Sequence, residues 1–419
     1  MAEEYADKPG LTLVGKLFVV LFIGAALYGA YYLLMRGSDG GGGGGSTASR
    51  AADPASGASV NPSADSTVKA HLPAGHTVKI GIAYGTEKKN WLKWALDEFR
   101  KTEAGRQIHI DLIPLGSLEA AQKILAKDES IHVWAPASSL YKDFFLREWD
   151  VQHGGNPIAR EEVLAITPMV FVFWEERLAA FREKFGEVSF ATIRQALGEK
   201  SGWNGIARKP EWGLFKFGHT HPNKSNSGLA VLVLMAYEFH GKTGGLEMKD
   251  ILDTAFQTSM QDLERAANTQ NESTGTLMVN MVRYGPSTFD AVCVYESVVI
   301  ENLKNAEGRW GGLQVVYPKQ NLWNENPYCI LGTPWTSDAQ RAAATAFLEF
   351  LLSEPIQKES LTHGFRPGNP RVPIKFDGSP FIQYQSAGLR IDLTTVCEPP
   401  KSEVIHNLLV SWQRSQGSR

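Results

Sequence analysis

Between Thr77 and Pro136 the sequence changes its hydrophobic period four times. "TVKIGIAY" packs apolar side chains as densely as a buried strand does, and "NWLKWALDEFRKTEAG" spaces them every three to four residues until Gly105. "QIHIDLIPL" alternates, "SLEAAQKILAKD" returns to helical spacing, and "IHVWAP" is a third short strand. Strands separated by helices cannot meet through a tight hairpin, so the crossovers require parallel, right-handed pairing. The predicted fold class is therefore α/β. In open α/β sheets the polar groups that meet a ligand lie beyond the carboxyl ends of the strands.

From His76 to Arg419 the chain has roughly 340 residues, more than one hydrophobic core usually serves, so two lobes are expected. The first lobe is assigned to about 76–166 and 320–419, the second to about 167–319. The apolar run "VLAITPMVFVFWEERL" is too long for one simple strand and is interrupted by Pro168, the expected crossing and hinge between sheets. Helices follow, including "FATIRQALGEK" and "SMQDLERAANTQ", then the strand-like "FDAVCVY" and the helix "ESVVIENLKNA". "GGLQVVYPK" and "NPYCILGTPW" are expected to return to the first lobe, ahead of the amphipathic helix "DAQRAAATAFLEFLLSEP".

The first 75 residues are expected to lie outside this fold. Leu17 to Met35, "LFVVLFIGAALYGAYYLLM", is an uncharged apolar run of 19 residues, about 28 Å as a helix, which suffices to span a bilayer. It is longer than the apolar core of a signal peptide, and no A-x-A site follows. Residues 1–16 are read as a short cytoplasmic tail, 17–35 as a transmembrane helix and 36–75, rich in Gly, Ser and Ala, as a disordered linker. This places a single-pass anchor in the cell inner membrane and the domain 76–419 in the periplasm or outside the cell.

A formal net charge of −3 excludes a dedicated nucleic-acid binder. Cys293, Cys329 and Cys397 have no C-x-x-C spacing and allow at most one disulfide. "HGKTGG" lacks the upstream glycine of a phosphate loop, and neither a G-x-S-x-G elbow nor an H-E-x-x-H motif occurs. No catalytic residue, cofactor or metal is assigned. His219 and His221 could point to one side of a strand end but have no third ligand nearby, and Ser225 or Ser227 would need a base brought by the fold to act in a hydrolase.

Four loops carry groups suited to a polar ligand. "HPNKSNSGLAVLVL" sets Asn223, Ser225, Asn226 and Ser227 at a helix start, where unpaired N–H groups attract anions, and Gly228 lets a guest approach the backbone. Thr86 follows the first strand, Ser138 and Ser139 follow the third, and Tyr295 follows "FDAVCV".

In their order, these loops and "FLEFLLSEPIQKESLTHGFRPGNP" resemble the bacterial extracellular solute-binding proteins of the type II periplasmic-binding fold, the substrate receptors of ABC importers, near the molybdate, sulfate and phosphate binders. The resemblance implies a two-lobed domain that captures a small solute between its lobes, an oxyanion being one such class, for an importer or a sensor. Ligand contacts are implied at Thr86, Ser138, Ser139, Ser225, Asn226, Ser227, Gly228 and Tyr295. Expected partners are the solute, the membrane through the N-terminal helix, and permease or membrane-complex subunits, but no nucleic acid. The alternative is a ligand-free structural or signalling subunit that uses the same fold as a docking module.

Overall fold

The structure, a computed structural model, describes residues 77–393 and 395–417. The chain divides after Thr67 into two units, and all described residues belong to the second. The apolar run 17–35 and the linker 36–75 lie outside them. Among the described residues no helix is long and apolar enough to cross a membrane.

The first sheet has strand order β2-β1-β3-β10-β4, formed by β1 (Val78–Tyr84), β2 (Ile108–Pro114), β3 (Val133–Ala135), β4 (Ile158–Val163) and β10 (Pro327–Leu331). The three N-terminal strands are parallel, as their helical crossovers require, while β10 runs antiparallel to both neighbours. Numbering only helices of nine or more residues, α1 (Lys89–Phe99) and α2 (Ser117–Leu125) make those crossovers. The two-residue period of the strands sorts the core by face. Ile80, Ile82 and Tyr84 pack with Trp91, Phe99 and Phe347, whereas Ala83, Trp134 and Leu331 pack with Ile124, Phe145 and Trp149.

The second sheet is built on β5 (Ala165–Trp174), beside β6 (Phe217–Gly218), β7 (Ala291–Tyr295), β8 (Leu313–Val316), β9 (Trp323–Asn324) and β11 (Arg366–Pro367). Helix α3 (Lys142–His153) packs on the first sheet through Phe145 and Trp149; the helices of the second sheet are α4 (Glu175–Phe185), α5 (Phe190–Gly198), α6 (Asn226–His240), α7 (Thr254–Ala266), α8 (Thr274–Tyr284) and α9 (Glu296–Ala306). Helix α6 is buried along nearly its whole length, Asn226 to Tyr237, so it forms the centre of the second core.

Three features differ from the sequence expectation. The crossing between sheets falls at Leu164, not Pro168. Pro168 sits inside β5, opposite Trp323 of the two-residue strand β9, where a missing N–H is tolerated better than in a long ladder. "GGLQVVYPK" stays in the second lobe, since β8 pairs with β5. The C-terminal segment also departs from the first lobe. Helices α10 (Asp338–Leu352) and α11 (Glu354–Thr362) flank the first sheet, and Phe365 belongs to its core, but Val372, Phe381, Leu389, Val404, Leu408 and Trp412 are buried in the second. The final helix, α12 (Ser402–Gly417), packs against α6 and α7.

Three segments thus connect the lobes: Leu164, the stretch from β9 to β10, and the stretch from α11 to β11. The last two pair with the beginning of β5, Asn324 opposite Thr167 and Arg366 opposite Ile166. Arg366 anchors this junction with a bidentate ion pair, Nε and Nη2 each 2.8 Å from a Glu296 oxygen, and both residues are buried. Arg366→Ala leaves Glu296 without its counter-charge. The expected cost is about 3–5 kcal/mol, read as a lower midpoint in urea unfolding.

Candidate functional site

A cavity of about 490 Å³ opens where the carboxyl ends of the strands face one another. The first lobe contributes the turn after β1 (Gly85, Thr86, Glu87) and the start of α2 (Gly116, Ser117, Glu119); the second contributes Ser225 and Asn226, Ser273 and Thr274, and Tyr295. The lobes touch across it. Thr86 Oγ1 is 3.2 Å from Ser273 Oγ. A side chain at Gly116 would place its Cβ 2.7 Å from Lys224 O.

Helix starts dominate the wall because three helices, α2, α6 and α8, begin there. The first N–H groups of a helix have no intrahelical acceptor. At the wall residues Thr86, Ser117, Asn226 and Thr274, none of the backbone N–H groups has a partner among the described residues. Unpartnered N–H groups and helix dipoles at helix starts favour acceptor-rich, electron-rich groups.

The eight residues singled out from sequence divide in two. Thr86, Ser225, Asn226 and Tyr295 line the cavity; Ser138, Ser139, Ser227 and Gly228 are set back from it. Ser227 is fully buried, its hydroxyl 2.6 Å from Thr274 Oγ1 and 2.7 Å from Thr220 Oγ1. Gly228 has a packing reason: a Cβ there would meet Thr220 O at 2.3 Å. Ser139 Oγ donates to Glu325 at 3.2 Å.

Ser138 meets the residue that joins the lobes. Asn226 Oδ1 accepts from Ser138 Oγ at 3.0 Å, and its Nδ2 donates to Tyr295 OH at 2.9 Å and to Asn324 Oδ1 at 3.4 Å. One amide thus binds the loop after β3, the end of β7 and the crossing strand β9. Its side chain is consumed in this network, which leaves its backbone N–H to face the cavity.

The floor includes Glu87, with Lys88 buried behind it, a pair that no sequence motif marks. Lys88 is fully buried; its Nζ donates to Glu87 Oε1, to Pro136 O at 3.1 Å and to Asn326 Oδ1 at 2.8 Å. Burial lowers its pKa and the Glu87 carboxylate opposes that shift. Adjacent residues do not face each other on a regular α-helix, and only the 3-10 turn at Thr86–Lys88 brings this pair together. Ser273 and Thr274 did leave a trace: "NESTGT" is a cap-rich stretch ahead of "LMVNMVRY".

The histidines serve the scaffold. His219 is fully buried, Nε2 2.9 Å from Glu264 Oε1, and Glu264 also accepts from Trp412 Nε1 at 2.6 Å. His221 Nδ1 accepts from Asn223 N at 3.2 Å, and its ring packs edge-on against Trp412. Neither imidazole ring bonds to Ser225 or Ser227, whose hydroxyls engage Thr220, Thr274 and each other. Among the described residues no group of three or more His, Cys, Asp or Glu side chains could hold a metal, and the three cysteines are free and buried.

The domain is thus two α/β sheets joined by three crossings, with a cavity between them. The chain belongs to the bacterial extracellular solute-binding proteins, whose family model matches residues 80–366. Among solved structures it is similar to the sulfate-binding protein SubI from Mycobacterium tuberculosis, at 14% identity and TM-score 0.50 over 82% of this chain and 99% of that one. Iron-bound HitA from Pseudomonas aeruginosa aligns at 13% identity and TM-score 0.52, over 81% and 99%. The periplasmic binding protein AfuA from Actinobacillus pleuropneumoniae, with fructose-6-phosphate bound, aligns at 12% identity and TM-score 0.54, over 80% and 98%. At such identities the likeness is one of fold. No curated protein matches the chain by sequence.

Asn226→Ala leaves Ser138, Tyr295 and Asn324 each short of a partner, and the domain should lose about 1–3 kcal/mol for each group left unsatisfied, measured by denaturant titration. Desolvation works against a charged His219, but the Glu264 carboxylate outweighs it and the net shift is upward. A raised folded pKa contributes stability that is fully present below the unfolded value and is lost as pH rises through the folded one. The stability gap between wild type and His219→Gln should therefore be widest below about pH 6.5 and narrow at higher pH.

Proposed function

We propose that this protein is a membrane-tethered extracytoplasmic receptor that closes two lobes over a small solute and presents the closed form to an ABC-type importer or a sensor. The observation that carries the reading is the cavity at the carboxyl ends of both sheets, walled by the unpartnered N–H groups of Thr86, Ser117, Asn226 and Thr274. Such groups replace lost hydration around an acceptor-rich solute without a fixed counter-charge. Membership of the extracellular solute-binding family supports a location outside the cytoplasm. The tether rests on the apolar run 17–35 and the Gly-rich stretch 36–75, which would keep the receptor beside its permease. No chemistry is assigned to the site: Ser225 and Ser227 have no basic partner, and binding followed by closure accounts for the geometry.

Closure can be tested at Gly116, where the first lobe lies close to the Lys224 carbonyl of the second. In Gly116→Val the new side chain meets Lys224 O and wedges the lobes apart. The receptor reading predicts that solute affinity drops tenfold or more, about 1.4 kcal/mol, while the unfolding midpoint of the free protein changes little. A variant that binds as tightly as wild type, by isothermal titration, would count against a closing cleft.

A further inference from the structure

The charged side chains of the cavity do not suit a bare inorganic anion. Its wall carries the carboxylates of Glu87, Glu119 and Glu272 against a single ammonium, Lys224, which is already paired with Glu272. Lys88 adds nothing for a ligand, because its three acceptors saturate it from behind.

Glu87 is the informative residue. It is only 7% exposed; Oε1 is held by Lys88, yet Oε2 has no hydrogen-bond partner among the described residues, and the side chain forms part of the cavity wall. Oε2 is not among the sealed side-chain atoms that lack a partner, and Glu87 lines the cavity, so its second oxygen is open to a donor from that side. Glu119, in the first turn of α2, likewise lines the cavity and has no ion pair among the described residues. Size points the same way. A water takes about 30 Å³ of liquid, so the cavity of about 490 Å³ would leave a five-atom oxyanion mostly surrounded by water. Organic ligands fill pockets of about 300–1,000 Å³.

We infer that the solute is a small organic zwitterion. It carries an acidic group that accepts from the N–H groups of Thr86, Ser117, Asn226 and Thr274, and a protonated amine that donates to Glu87 Oε2 and faces Glu119. The inference rests on the receptor reading and narrows it to one class of solute. Neither half of the wall alone specifies this. The N–H groups exclude a simple polyamine, whose every polar group is a donor, and the carboxylates repel a molecule that is only an anion.

The test uses the full chain in isothermal titration and thermal-shift assays with named probes. The zwitterions are the proteinogenic L-amino acids and 2-aminoethylphosphonate; their amine-free counterparts are the matching 2-hydroxy acids and ethylphosphonate. Sulfate, molybdate and putrescine complete the set. At least one zwitterion should bind, its amine-free counterpart about 10- to 100-fold more weakly. Glu87→Gln should weaken the zwitterion by a similar factor while the amine-free anion binds no more weakly than to wild type, since a repelling charge has gone. Glu119→Gln, at an exposed position, tests the same charge if Glu87→Gln unfolds, and should weaken the zwitterion selectively. Sulfate or molybdate binding more tightly than every zwitterion would overturn the inference and leave the receptor reading standing. So would zwitterion affinity that neither carboxylate variant alters. Silence from the whole set would overturn both.

Discussion

The ammonium of Lys88 has no contact with solvent, and burying a charge costs several kcal/mol unless acceptors surround it. Its three acceptors come from three parts of the chain: Glu87 in the same turn, Pro136 after β3 and Asn326 in the crossing toward β10. The turn after β1, the loop after β3 and a crossing strand therefore cannot drift apart without exposing that cost. Asn326 pays a local strain to take part, since it adopts φ 44°, a left-handed conformation that asparagine tolerates better than most residues. Above this floor Asn226 repeats the device with a neutral amide, joining Ser138, Tyr295 and Asn324. The shape of the cavity is held by a buried cation and a buried amide, neither of which uses its side chain on the solute.

The arrangement separates two kinds of polar group that look alike in sequence. Thr220, Ser225, Ser227 and Thr274 form a hydroxyl cluster that satisfies itself and fastens the start of α6 to the start of α8. What is left unsatisfied, and so available to a guest, is mainly backbone: N–H groups at helix starts that no side chain caps. The carboxylates stand among them. Opposite kinds of group can share one cavity without conflict when the guest carries both signs, since each then finds its complement at hydrogen-bonding range.

Much of the fold was legible because it depends on periodicity. The five alternating segments from Thr77 to Pro136 became the parallel strands of the first sheet with their crossovers, and the turn after β1, the start of α6 and the end of β7 supplied Thr86, Ser225, Asn226 and Tyr295 to the cavity wall. What escaped depends on tertiary partners. Pro168 was read as a break, but a strand whose neighbour there is only two residues long can absorb it. The C-terminal helix was placed with the wrong lobe because Val404, Leu408 and Trp412 announce an apolar face without naming the surface it covers. Lys88 was invisible for the same reason: "EKK" reads as solvated charge, and only folding shows which lysine turns inward.

The three connections between lobes are themselves a small piece of sheet, since β9 and β11 both pair with the first residues of β5. Hydrogen-bonded strands resist sliding and stretching far more than they resist twisting. On the proposed closure, a clasp mounted on such a ribbon would follow a preferred path rather than a loose swing, and each closing would return the same N–H groups and the same carboxylates to the same spacing. The selectivity of the cleft is in this sense stored outside it, in a handful of backbone bonds that never meet the solute.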